Sequence, residues 1–413
     1  MFKFIKRFFA IILRWAPIYI KYLFYFVELH LFHSELLKQD IWLICEKRGE
    51  ARDNGYHLFR YIRENHPEVN AYYVITDNSP DRKKVEQYGN LISNDSSEHF
   101  LYYLAAKYSI NSQCSGAYPA KMIPEFFNFT RCLRRKDQKC VFLQHGITMN
   151  YITQKDLFYS SRVVDLFSTT LEREHAFVEK EYGYPSGIIQ KIGFCRFDSL
   201  YNSCRNTKKQ ILVMPTWRKW LNHSAQFSID PKLIERFSSS DFYKNYFDLL
   251  TSKKLIDVLK KYGYRLVFYP HYAFQGYLPA FENAKSEFVA LASSADYDVQ
   301  ALLIESSVLI TDYSSVFFDF AYMGKPEIFF QFDSNEFTAN HYKKGYFDYA
   351  SDAFGLVAHS ADQVIDELEK ILSNDCIMEE PYASRCKKEF AFIDNMNCER
   401  TFNAISELGG IER

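Results

Sequence analysis

Residues 308–330, VLITDYSSVFFDFAYMGKPEIFF, leave little freedom in how they fold. Val308–Thr311 is a β-branched run of the kind buried in sheets. Asp312, Ser314 and Ser315 in the turn that follows are candidate N-cap side chains. Val316–Met323 fits an apolar helix, Gly324 stands where a helix C′ glycine belongs, and Pro326 follows as a stop. Glu327–Phe330 then opens another strand. A unit of this type ends a strand at a helix N-terminus, where free N–H groups and the macrodipole favour an anion. Two adjacent serines suit phosphate oxygens. An ordinary capped core helix fits the same residues.

The same alternation runs through most of the chain. Strands are expected at 41–45, 71–75, 108–111, 140–143, 166–169 and 188–192, with helices at 54–65, 81–88, 98–107 and 172–181. A polar, apolar-poor stretch at 202–210 separates these from a second series. That series has strands at 211–214, 265–269, 288–291 and 308–311, and helices at 243–262, 299–305, 364–372 and 382–392. Residues 221–241 read as a polar excursion. Two α/β halves of similar size argue for mainly parallel sheets covered by helices.

Hydrophobic residues make up 47% of the 413, so a full core forms without disulfides. The nine cysteines form no C-x-x-C pair and no zinc pattern, which points to a reducing compartment. The net charge of −1 offers no basic excess for nucleic acid. Residues 1–27 differ from the rest: they hold Lys3, Lys6, Arg7, Arg14 and Lys21 and no acid. These five fall on one helical face, opposite Phe, Ile, Leu, Trp and Tyr. That is the pattern of a helix lying in an anionic membrane surface, with Pro17 expected to kink or split it. Charges interrupt the apolar run, so a spanning helix is not expected, and no small-residue cleavage site marks a signal peptide.

Polar residues gather at the carboxyl ends of the expected strands, where open α/β sheets bind ligands. They are Gln144-His145-Gly146, Thr216-Trp217-Arg218, Pro270-His271 and Thr311-Asp312-Tyr313-Ser314-Ser315. His145 suits a general base, and Gly146 allows close backbone approach. Arg218 offers a fork for phosphate oxygens or makes an ion pair; His271 donates to a diphosphate or caps a helix; Asp312 orients a hydroxyl or caps. No D-x-D of the type that holds a nucleotide diphosphate through a divalent metal is expected and no Walker A loop is present, so charge on a leaving phosphate would fall to Arg, His and a helix N-terminus.

These motifs, with Gly193-Phe194-Cys195-Arg196-Phe197-Asp198, Lys344–Tyr349 and Asp394 followed by Arg400, resemble the CDP-glycerol glycerophosphotransferase family over about residues 40–405. Its members build teichoic acids and polyol-phosphate capsular polymers. The resemblance implies a GT-B fold of two Rossmann-like domains facing across a cleft. It divides the chain into a membrane-associating segment 1–30, an acceptor domain 31–205, a CDP-polyol donor domain 206–395 and a final helix 396–413 expected to pack back on the first domain. It further implies transfer of glycerol phosphate from CDP-glycerol to a glycan, polyol-phosphate or lipid-linked acceptor, with release of CMP and no cofactor. The place would be the cytoplasmic face of a bacterial membrane, peripherally bound, and a homo-oligomer is compatible with it. Catalytic roles fall to His145, His271 and Asp312, and donor binding to Gly146, Thr216, Arg218, Thr311, Ser314 and Ser315. A CDP-ribitol donor, a nucleotide-sugar glycosyltransferase of the same fold and a non-catalytic synthase partner are the alternatives.

Overall fold

The computed structural model describes residues 2–113, 117–120, 130–152, 157–160, 164–221, 231–341 and 343–409, with side chains described from residue 15 onward except at 231. Two all-parallel sheets form the frame. The first contains β1 (Trp42–Cys45), β2 (Ala71–Ile75), β3 (Leu91–Ser93), β4 (Tyr108–Asn111), β5 (Lys139–Phe142), β6 (Leu166–Thr169) and β7 (Ile189–Lys191), in the order β3-β2-β1-β4-β5-β6-β7. The second contains β8 (Gln210–Met214), β9 (Arg265–Phe268), β10 (Val289–Leu291), β11 (Val308–Thr311), β12 (Glu327–Phe330) and β13 (Gly355–Ala358), in the order β10-β9-β8-β11-β12-β13. Each strand order reverses beside its first strand, β1 or β8. That creates a switch point where the loops after neighbouring strands part and leave a crevice.

Burial accounts for the apolar strand sequences. Trp42–Cys45, Leu166–Thr169 and Val308–Thr311 are buried along their whole length, as strands covered on both faces must be. The opening unit forms as the sequence predicts: strand, helix Val316–Tyr322, then Gly324 at φ +68° leading to β12. Three details differ. β3 and β13 are strands the sequence did not signal, being three and four residues long, the latter starting on a glycine. The expected helix 243–262 is two helices, Asp241–Thr251 and Lys253–Tyr262, because Ser252 caps the second by accepting the Leu255 amide at 3.4 Å. Within the expected excursion 221–241, Pro231–Ser238 is helical, while 222–230 lie outside the described residues.

The halves are joined by a shared apolar cluster. Phe194, Phe197 and Leu200 of the first half pack with Phe317, Phe318, Tyr322 and Phe390 of the second. The Phe197 and Tyr322 rings lie 4.3 Å apart. The helix Asn397–Glu407 returns to the first half, where Phe402 stacks on His66 at 3.9 Å and on Trp42 at 5.4 Å. Its start is fixed by Asp198, which accepts from the amides of Asn397 and Cys398, each at 2.8 Å.

The N-terminal segment is one continuous helix, Phe2–Phe32, which Pro17 does not split. From residue 15 it packs on the first half rather than standing free. Tyr22 and Leu29 are fully buried, Tyr22 donates to the Pro119 carbonyl at 2.7 Å, and Tyr25 bonds Ser97 at 2.8 Å. Lys21 lies over the Phe100 ring at 4.6 Å, against the protein. The side chains of Lys3, Lys6, Arg7 and Arg14 lie outside the described ones. Among the described residues no helix is long and apolar enough to cross a membrane. Because Tyr22 fills a closed site and satisfies its hydroxyl there, Tyr22→Ala should cost about 3–5 kcal/mol locally. Faster amide exchange across residues 15–32, with the two sheets unaffected, is the expected readout.

Candidate functional site

Three loops of the first half build one wall of the crevice. The loop after β1 is curled by Glu46, whose buried carboxylate accepts the amides of Arg52 (2.9 Å), Asp53 (2.9 Å) and Tyr56 (2.6 Å). Burial, and then the charge of Asp53, push the Glu46 carboxyl up. The curl turns Lys47, Glu50, Arg52 and Asp53 toward the crevice. The loop after β5 turns at Gln144, whose φ of +61° is in the left-handed region. That turn is over-determined: Gln144 Oε1 accepts the His145 amide at 3.1 Å, its Nε2 donates to Thr148 Oγ1 at 2.8 Å, and its carbonyl accepts from Asn54 Nδ2 at 2.7 Å. Glu174 holds the far end by accepting the Thr148 amide at 2.7 Å. His145 is thereby left open to the crevice. The loop after β7 supplies Arg196, which donates to both oxygens of Asp319 (2.6 and 2.9 Å) in the second half and to Asp53 (3.0 Å) in the first.

The second half supplies the facing wall from the loops after β9, β10 and β11: His271, Tyr272, Ser294, Asp298, Ser314 and Ser315. Together the walls enclose a cavity of about 570 Å³, large enough for a nucleotide-sized ligand. The contact is close at one point: a methyl group on Gly146 would lie 3.1 Å from Ser315 Oγ. Desolvation by the enclosing walls, and next the charge of Arg196, lower the His145 pKa to about 4, against a hydrogen bond to the Ser112 backbone. His271 is lowered to about 4 by burial and then by Lys47. His271 Nδ1 accepts the Ala273 amide at 3.2 Å, so the neutral ring carries its proton on Nε2 and is a donor there.

Of the residues expected at the site, His145, His271, Ser314 and Ser315 line this cavity, and Gly146 adjoins it. Arg218, Asp312, Thr216 and Thr311 do not. Arg218 is completely buried: Nε and Nη2 donate to Asp333 (2.6 and 3.1 Å), and Nη1 to Asp312 (2.8 Å) and the Thr216 carbonyl (2.6 Å). Four of its five N–H groups are given to protein oxygens, and the guanidinium does not reach the cavity. Asp312, equally buried, accepts the amides of Thr216 (2.8 Å) and Tyr313 (2.6 Å) as well as Arg218. It shapes the loops and does not line the cavity. Thr311 Oγ1 donates to the Met214 carbonyl at 2.7 Å, tying β11 to β8. Thr216 is buried behind the wall. Lys47, Arg52, Asp53, Asn54 and Asp319 were not singled out from the sequence. Arg196 was, but only as part of a motif.

With this geometry in view, the chain can be set beside known proteins. Residues 23–407 match the family described as CDP-Glycerol:Poly(glycerophosphate) glycerophosphotransferase, and the chain belongs to that family. It is 31% identical over 376 residues to the minor teichoic acid biosynthesis protein GgaB of Bacillus subtilis, covering 90% of this chain and 40% of that protein. It is 26% identical over 349 residues to the teichoic acid poly(glycerol phosphate) polymerase of the same organism, covering 78% of this chain and 42% of that protein. The chain thus spans less than half the length of these relatives. Its fold is that of the wall teichoic acid polymerase TagF, with a TM-score of 0.63 at 16% identity, covering 96% of this chain and 98% of that one.

Removing one partner of the buried Arg218 network leaves an uncompensated charge, which costs about 3–5 kcal/mol. Asp312→Ala should therefore lower unfolding stability by about that much in a urea titration. If the variant kept full stability and lost only ligand affinity, Asp312 would belong to the site after all.

Proposed function

We propose that the chain transfers glycerol phosphate from CDP-glycerol to a hydroxyl of a polyol-phosphate, glycan or lipid-linked acceptor and releases CMP, as a GT-B enzyme of teichoic acid or related envelope polymer synthesis. One observation carries the reading: in a member of this family, a histidine open to the cavity on one wall faces hydroxyl and imidazole donors on the other. The acceptor oxygen attacks the β-phosphorus of CDP-glycerol as its proton passes to His145. The new O–P bond forms in line with cleavage of the P–O bond to CMP, whose phosphate takes the electron pair. His271, through Nε2–H, and the Ser314 and Ser315 hydroxyls hold the diphosphate. Positioning and charge stabilisation supply most of such a rate. Each step is met by the chain's own side chains, with no metal invoked.

The same reading puts the protein on the cytoplasmic face of a bacterial membrane. Ile20, Phe24, Val27, Leu31 and Phe32 are each more than half exposed on the N-terminal helix. Ile20, Phe24, Val27 and Leu31 follow helical spacing on one face, turned away from the buried Tyr22 and Leu29. Such a row in contact with water is what an interfacial helix offers to lipid.

His145→Ala should lower turnover about 10²- to 10⁴-fold and leave CDP-glycerol affinity nearly unchanged. Full turnover in that variant would remove the base assignment. The lowered His145 pKa keeps the imidazole neutral at physiological pH. The acid limb of kcat/KM should then lie near 4, well below the ordinary 6.5 of histidine. A limb at 6.5 would mean that the enclosing walls do not lower the pKa of this ring. For the membrane, Phe24→Glu combined with Leu31→Glu should abolish co-sedimentation with anionic vesicles while the protein stays folded. Undiminished sedimentation would rule out this face.

A further inference from the structure

With Arg218 withdrawn from the cavity, the wall that carries His271, Ser314 and Ser315 presents only neutral donors to a doubly charged diphosphate. A cation must come from elsewhere, and among the described residues three basic side chains line the cavity: Lys47, Arg52 and Arg196. Arg196 is committed to Asp319 and Asp53 by three hydrogen bonds and is buried. Arg52 Nε is held at 2.6 Å by Asp81, a carboxylate that also accepts the Ala51 amide and is mostly buried. Lys47 differs. Its partner is Glu50 at 2.6 Å, an i,i+3 pair in which the side chains are 56% and 44% exposed. An exposed pair of that kind is held weakly and given up easily. The Lys47 ammonium also reaches across the crevice: it lies 5.1 Å from the centre of the Tyr272 ring, next to His271 in the second half.

We propose that Lys47, from the loop after β1, is the cation that binds the donor diphosphate, reaching it from the half opposite to His271, Ser314 and Ser315. The proposal rests on the CDP-glycerol reading above. A compact ammonium on a flexible stem, with three donors and one weak partner, can leave Glu50 and follow the charge as it collects on the departing CMP. The field of Lys47 already acts on His271, since it is the second cause, after burial, of that ring's low pKa. Donor bound in this way bridges both halves of the molecule, so the acceptor half takes part in donor affinity.

The test is calorimetric titration of CDP-glycerol into the full chain and into the Lys47→Met and Lys47→Arg variants, with thermal unfolding as the folding check. Lys47→Met should raise Kd about 10- to 100-fold, the size expected of a charge-assisted contact, and Lys47→Arg should stay within about threefold of the parent. The salt dependence of Kd should also flatten in Lys47→Met. Equal Kd in Lys47→Met and the parent, or an arginine variant as weak as the methionine one, would overturn the assignment while leaving the donor reading intact. A parent protein that does not bind CDP-glycerol would overturn both.

Discussion

A guanidinium with no access to water sits at the centre of the second half. Arg218 is buried with Asp312 and Asp333, and these three side chains come from the loops after β8, β11 and β12. Taking such charges out of water is costly, and only good geometry and full hydrogen bonding offset it. The network meets that demand. Asp312 accepts from two backbone amides as well as from Arg218, Asp333 takes two guanidinium nitrogens, and Tyr313 donates to Asp333 at 3.1 Å. Four rings, Phe242, Tyr313, Phe332 and Phe337, stand within 5.1 to 5.9 Å of the guanidinium carbon. The geometry of Asp312–Ser315 follows from this knot, and with it the placing of Ser314 and Ser315 at the cavity. A loop fixed in this way can present hydroxyls to a ligand without ordering itself at each binding event.

The first half solves the same problem with different groups. Glu46, Gln144 and Glu174 each spend a side chain on backbone amides, and the outcome is a rigid loop from which His145 faces the cavity. Arg196 then couples the halves through Asp53 and Asp319, at the floor of the crevice. Burial is the first cause of the lowered pKa at both histidines, yet their surroundings suit them to different tasks. His271 is oriented by the Ala273 amide to donate through Nε2, whereas His145 hangs from a strained turn, with an imidazole free to take a proton.

Much of this could be read in the sequence, because period and punctuation are local. The opening unit, both series of alternating elements and the polar residues at strand ends all follow from side chains within a few positions of one another. What could not be read depends on distance along the chain. Arg218 and Asp333 are 115 residues apart, and a polar residue at a strand end looks the same whether it faces the crevice or folds behind the wall. Arg218 and Asp312 were therefore expected to touch substrate, and the structure buries both outside the cavity. Lys47, Glu50 and Arg52 read as an ordinary charged turn until Glu46 is seen curling it. At the N-terminus, an aromatic face suits lipid or a protein core equally. The hydroxyls of Tyr22 and Tyr25 find partners in the first half, and the apolar row from Ile20 to Leu31 is left outside.

On the proposed function, the diphosphate of CDP-glycerol sits between the two walls while Arg218 stays in its buried network. A crystal structure of the His145→Ala protein with CDP-glycerol tests this most directly. Phosphate oxygens are expected within hydrogen-bond distance of His271 Nε2, Ser314 Oγ and Ser315 Oγ, with Arg218 still paired to Asp312 and Asp333. A diphosphate bound outside the cavity, or an Arg218 swung out to grip it, would overturn this placing of the donor.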